Sequence, residues 1–175
     1  ANNAIAAING GGFSDKGQNS TALWTGTGAF PTGFIISGGK LIYPKTNADI
    51  NTVYPGVAGI NSKGYLVVGK HSIKELLNSG VQEAICFGPT LIINNAAQKL
   101  SDVNGKGIDS QGTDPRTAIG QRESDGAIVM LTIDGRQGLQ AGATIGDVIK
   151  IMQKMGVTNA VNLDGGASTT LYYNG

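Results

Sequence analysis

The apolar positions of this chain come in short runs, and the residues that end each run define its elements. AIAAIN, residues 4 to 9, is stopped at once by Gly10, Gly11 and Gly12. It reads as a buried strand ending in a glycine loop. FIISGGKLIY sets two β-rich runs around Gly38-Gly39, a two-residue hairpin signal. AGINSKGYLVVG repeats the device with a longer turn at residues 61–64. SIKELLNSG reads as a short helix. Ser72 and Glu75 match an S-x-x-E capping box, and Gly80 suits the left-handed position after the last turn. VQEAICFG and TLIINN are two further strands. Residues 13–32 and 97–115 lack a period and read as loops, and long loops inside compact domains are commonly functional.

The last third has the clearest pattern. AIVMLTI, residues 127–133, is a continuous apolar run, as a strand buried on both faces would be. It ends at Asp134-Gly135-Arg136. In TIGDVIKIMQKMG, the residues Ile145, Val148, Ile149 and Met152 share one helical face. Thr144 and Asp147 match a second capping box, and Gly156 closes the helix. TNAVNLD is again a strand. Strand, helix and strand make a β-α-β unit, whose strands are expected to be parallel. The expected fold class is therefore α+β or mixed α/β. It is a single domain, residues 1–175, with a mixed β-sheet, hairpins, flanking helices and a C-terminal β-α-β unit. Parallel strands would put Asp134 and Asp164, each at the carboxyl end of its strand, on one edge of the sheet. Ligands bind at that edge in open α/β sheets.

Composition narrows the function classes. The formal net charge is +1, so there is no nucleic-acid footprint. No apolar run approaches the length of a membrane span. The single Cys86 excludes an internal disulfide framework and a cysteine-rich zinc site, and its apolar neighbours make it a buried structural thiol. One histidine, His71, precedes the Ser72 cap and reads as a surface residue, and no nucleophile elbow accompanies it. Residues 102–109 echo a calcium loop, but Lys106 occupies a ligand position and Thr113 stands where the bidentate Glu belongs. A divalent cation, calcium or magnesium, at Asp134 or Asp164 stays open. Trp24 and Phe30 read as an anchor for the first long loop, with sugar stacking as the alternative. Asn19-Ser20-Thr21 fits a glycosylation sequon. Low charge with 28 glycines points to many turns and close backbone approaches.

Two groups of those glycines follow strand ends. Asp164-Gly165-Gly166 follows a strand, and so does Asn9-Gly10-Gly11-Gly12. Such corners are ordinary turns, or they expose backbone N–H groups to an anion. Ser168, Thr169 and Thr170 would add hydroxyl donors. Arg116 stands in DPRTAIG, residues 114–120, and Arg136 two residues after Asp134; each suits an exposed salt bridge, and arginine is also the preferred partner of phosphate.

In order along the chain, AINGGGF, FGPTLI, RTAIGQ, IDGR and NAVNLDGGAST resemble the phosphodiester glycosidase family, over nearly the whole length from about Ala4 to Leu171. The terminal block and the RTAIG–IDGR pair are its most specific parts. The resemblance implies hydrolysis of a sugar-1-phosphodiester at the glycosidic carbon, on a phosphorylated glycan substrate in a secreted or cell-surface setting. It places Asn9, Gly10, Arg116, Asp134, Arg136, Asn162, Asp164, Gly165, Gly166 and Ser168 at or near the site. Family members often extend at both ends, so the chain is also read as the core of a longer one. Its three consecutive glycines and single Phe13 depart from the usual pattern of two of each, which bears on the substrate.

The chemistry can be argued separately. Breaking C1–O expels a phosphate monoester, whose second pKa is about 6, so a strong general acid matters less than gripping phosphate and stabilising charge on the ring. Carboxylates suit the ring, and arginines with backbone N–H groups suit the phosphate. Asp164 is expected to be the main carboxylate and Asp134 the second. Arg116 and Arg136 would hold phosphate, Asn9 and Asn162 would orient sugar or water, and Gly165-Gly166 would admit the ligand to the backbone. On this reading Gly165→Val abolishes activity in a folded protein. A non-catalytic glycan-binding module and a phosphodiesterase cleaving P–O are the alternatives.

Overall fold

A computed structural model describes residues 4–14, 30–99 and 112–174. Two five-stranded sheets carry the fold. The first is built from β4 (Ile35–Ser37), β5 (Lys40–Tyr43), β6 (Val53–Asn61), β7 (Leu66–Ser72) and β8 (Val81–Cys86), in the order β5-β4-β8-β6-β7. The second contains β9 (Thr90–Ile93), β10 (Ala96–Ala97), β11 (Arg116–Arg122), β12 (Ile128–Ile133) and β13 (Val157–Leu163), in the order β10-β9-β13-β11-β12. Two ribbons complete it. β1 (Ala6–Ile8) pairs with β14 (Leu171–Tyr173), and β2 (Phe13–Ser14) pairs with β3 (Phe30–Pro31). Among the described residues the helices are α1 (Ile73–Asn78), α2 (Ile145–Lys154) and a 3-10 turn at Gly166–Ser168. None is long and apolar enough to cross a membrane.

Alternation along the strands builds four layers. Ala58, Leu66 and Val68 of the first sheet meet Val161 and Leu163 of the second, with Ile60, Ile85 and Ile119 packed around them. The outer face of the first sheet buries Ile36, Val57 and Ala84 against Ile73 and Leu76 of α1. The outer face of the second buries Leu91, Ala118, Val129 and Ala160 against Ile145, Val148 and Met152 of α2. The described residues thus form a sheet-on-sheet sandwich with one helix outside each sheet.

Several local expectations hold. The Gly38-Gly39 hairpin forms with both residues at positive φ, +57° and +70°, the requirement of a type I′ turn. Both capping boxes form, at Ser72/Glu75 and at Thr144/Asp147. The Thr144 backbone N–H and hydroxyl donate to Asp147, whose carboxyl is held below its ordinary value first by the hydroxyl and then by the backbone bond. Its folded pKa is depressed, so this contribution is present above the unfolded pKa, about 3.9, and is lost as pH falls through the lower folded value. Faster amide exchange in the first turn of α2 is expected on acidification below about pH 4. The same pH step should leave that turn unchanged in Asp147→Asn.

Other expectations are corrected. The sheets are not mixed: every described strand pair is antiparallel. β12 and β13 do run in the same direction, but β11 lies between them and pairs with both. The β-α-β crossover spans one intervening strand. The domain is mostly β, with few helices, rather than balanced α/β. β12 is not buried on both faces. It is an edge strand, and Met130 is exposed. β1 is only partly buried: Ala6 and Ile8 are half-buried, Ala7 is exposed, and among the described strands β14 alone pairs with it. Cys86 is only partly buried, and that burial pushes its thiol pKa up. The first long loop is closed at its base by the β2–β3 ribbon. Trp24, the Asn19 sequon and most of the calcium-like stretch lie outside the described residues.

Candidate functional site

Because β12 and β13 point the same way, Asp134 and Asp164 leave the second sheet at one edge. β11 begins at that edge, with Arg116 opposite Ile133 and Thr117 opposite Leu163. Asp134 is exposed and Asp164 half-buried. Neither carboxylate has a hydrogen-bond or ion-pair partner among the described residues. A cavity of about 320 Å³ lies here, lined by Pro115, Asp134, Arg136, Gly166 and Thr169 among others.

The glycine corner after Asp164 answers to close packing. A Cβ on Gly165 would sit 2.8 Å from the Pro115 carbonyl oxygen. The Gly166 N–H donates to that same oxygen at 2.8 Å. Gly166 has φ +59°, and a Cβ there would lie 3.6 Å from the Arg136 guanidinium. Ser168 closes the 3-10 turn, its N–H donating to the Gly165 carbonyl.

The first glycine corner docks on the second. The β1–β14 ribbon brings Asn9 to Asp164. The Asn9 side-chain amide donates to the Asp164 carbonyl at 2.7 Å, and its oxygen accepts from the Thr117 hydroxyl and the Thr170 N–H. The Asp164 N–H donates to the Gly10 carbonyl. Asn9 and Gly10 therefore hold the Asp164 carbonyl and N–H respectively.

The two arginines differ. Arg116 is 9% exposed, and its guanidinium donates to the carbonyls of Ala143 and Gly112. Arg136 is 55% exposed at its side chain, in a left-handed conformation with φ +59°. It donates through Nε and Nη2 to one oxygen of Asp114, at 3.0 and 2.8 Å. The other Asp114 oxygen lies 3.9 Å from Arg116. Asp114 is a shared counter-ion that aims both, and the first residue of DPRTAIG was its only signal. Thr117, fully buried between Asn9 and Thr169, was marked only as part of RTAIGQ.

Asn162 is buried on the α2 side of the strand. Its amide donates to the carbonyls of Gly88 and Leu163, and its Oδ1 is the one buried side-chain oxygen without a partner among the described residues. It ties the site edge to a larger cavity of about 680 Å³ lined by Lys70, Phe87, Gly88, Pro89, Thr90 and Lys99 among others. Among the described residues no three His, Cys, Asp or Glu side chains group as metal ligands. A cation at Asp134 or Asp164 would draw its remaining ligands from backbone oxygens or amides.

Fold and site together define a class. The family model for phosphodiester glycosidase matches residues 2–175, and the chain belongs to that family. Among particular relatives, the N-acetylglucosamine-1-phosphodiester alpha-N-acetylglucosaminidase of Bos taurus is 30% identical over 155 residues, covering 82% of this chain and 28% of that protein. The Homo sapiens enzyme of the same name is 33% identical over 129 residues, covering 67% of this chain and 25% of that one. The solved catalytic domain of the zebrafish enzyme, auto-inhibited by its pro-peptide, superposes with a TM-score of 0.72 at 25% identity. It covers 97% of this chain and 53% of that one. The chain thus spans about a quarter of these curated relatives and about half of the solved domain.

Proposed function

We propose that this protein is a glycosidase that hydrolyses the C1–O bond of a sugar-1-phosphodiester, releasing free sugar and a phosphate monoester. The substrate class is an N-acetylglucosamine-1-phosphodiester or a cell-envelope glycan phosphate, met outside the cytoplasm by a secreted or surface-held chain. The observation that carries this reading is the edge itself: two carboxylates, at Asp134 and Asp164, without partners among the described residues, and an arginine held in a left-handed turn over Gly166.

Asp164 faces the sugar carbon, as nucleophile or as base for water, and Asp134 supplies the second carboxylate. Arg136, exposed and already oriented by Asp114, meets the phosphate. Arg116, bonded to backbone carbonyls, positions the Asp114–Arg136 pair and the strand start. Asn9 and Thr117 hold the Asp164 backbone, and Asn162 joins that edge to the Phe87–Pro89 segment. Gly10, Gly165, Gly166 and Ser168 shape the walls. The larger cavity, with Lys70 and Lys99, receives the remainder of the glycan phosphate.

Hydrolysis of an N-acetylglucosamine-1-phosphodiester in ¹⁸O water tests the reaction. Label is expected in the free sugar, since water oxygen bonds to C1. Label in phosphate would replace this reading with P–O cleavage by a phosphodiesterase. Absence of turnover on both this substrate and envelope glycan phosphates would favour a glycan-binding module.

A further inference from the structure

The far end of the second sheet carries a different surface. β11 runs seven residues from Arg116 to Arg122, so its two ends lie roughly 20 Å apart. At the far end, Tyr65, Asn94, Asn95, Arg122, Glu123 and Asn159 line much of a cleft of about 390 Å³, within the size range of small-molecule sites. Both sheets contribute, because Tyr65 comes from the β6–β7 turn.

The chemistry of this lining is specific. A sugar ring offers flat C–H faces and a rim of hydroxyls that both donate and accept. Its binding calls for an exposed flat ring and for amide side chains, which also do both. Tyr65 is 60% exposed. Asn94 and Asn95 are exposed at φ +48° and +68°, where glycine would be at least as comfortable. Their side-chain amides have no partner among the described residues. The Asn94 N–H donates to Asn159 Oδ1, and the Asn159 amide hydrogens have no partner among the described residues.

Charge argues for a neutral ligand. The Arg122 guanidinium is held by both oxygens of Asp125, at 3.1 and 2.6 Å. That leaves Glu123 as the lining charge without an ion-pair partner among the described residues, which repels phosphate. The cleft is also rigid underneath. Gln121, 7% exposed, accepts from the Leu66 N–H and donates to the carbonyls of Gly64 and Gly126. It locks the Tyr65 turn to the β11–β12 hairpin, and preorganisation of this kind raises affinity by lowering the ordering loss.

We propose that this cleft is a second carbohydrate site, which binds an uncharged oligosaccharide segment with Tyr65 stacked on a sugar face and Asn94, Asn95 and Asn159 on the hydroxyls. It is separate from the acidic edge and does not depend on the hydrolytic reading. An array of neutral oligosaccharides of glucose, galactose, mannose and N-acetylglucosamine tests it, followed by titration of the best binder against ¹⁵N-labelled protein. Binding is expected, with shifts at residues 65, 94–95 and 158–159. Tyr65→Ala should weaken it about tenfold or more, as loss of an aromatic anchor does. Asn94→Gly should weaken it while leaving thermal unfolding unchanged, and Asp164→Asn should leave it intact. The proposal is overturned if no neutral glycan binds, if Tyr65→Ala binds as tightly, or if Asp164→Asn loses the binding.

Discussion

Asp164→Asn is expected to reduce sugar-1-phosphodiester hydrolysis by on the order of 10²–10⁴-fold, the range set by loss of one positioned acid–base group. The side chain has no partner among the described residues, so its charge holds nothing else together. The backbone bonds that fix its position, from Asn9 and to Gly10, use main-chain atoms and survive the change. Thermal unfolding should therefore match the parent, while turnover falls. A variant that keeps more than a tenth of parental kcat/KM would remove Asp164 from the chemistry. Asp134→Asn, measured beside it, ranks the two carboxylates.

The second large effect is on stability. Gly165→Val should lose the native fold or be strongly destabilised, and even Gly165→Ala should lower stability by about 1–3 kcal/mol, as overpacking does. The Pro115 carbonyl oxygen stands 2.8 Å from where the Cβ would be. It is backbone, and it is pinned there by the Gly166 N–H, so it cannot swing aside. This changes the expectation drawn from the sequence, in which Gly165→Val left a folded but inactive protein. Urea unfolding of Gly165→Ala decides it: a midpoint equal to the parent would mean that the corner opens easily and that the glycine serves the ligand instead.

How much was legible follows from the range of each interaction. The capping boxes at Ser72 and Thr144 and the Gly38-Gly39 turn involve neighbours within three residues, so the sequence states them outright. The shared edge of Asp134 and Asp164 was also readable, because a strand–helix–strand order forces both strands to point the same way. The strand between them was not. β11 comes earlier in the chain, and nothing in RTAIGQ announces that it inserts between β12 and β13. Its insertion makes β12 an edge strand despite a largely apolar stretch, and makes the sheet antiparallel. Roles of site residues suffered from the same blindness. Arg116 and Arg136 look alike in sequence, but only burial distinguishes one bonded to carbonyls from one facing the cavity. Asp114 and Thr117 acquire roles only when Arg136 and Asn9, 22 and 108 residues away, arrive beside them.

The bond from Asn9 to Asp164 joins positions 155 residues apart. A ribosome makes Asn9 early and Asp164 near the far end of this stretch. A nascent chain can complete the whole first sheet and still own no working edge. Contacts of such separation form late and slowly, so competence becomes a signal that synthesis has passed residue 164.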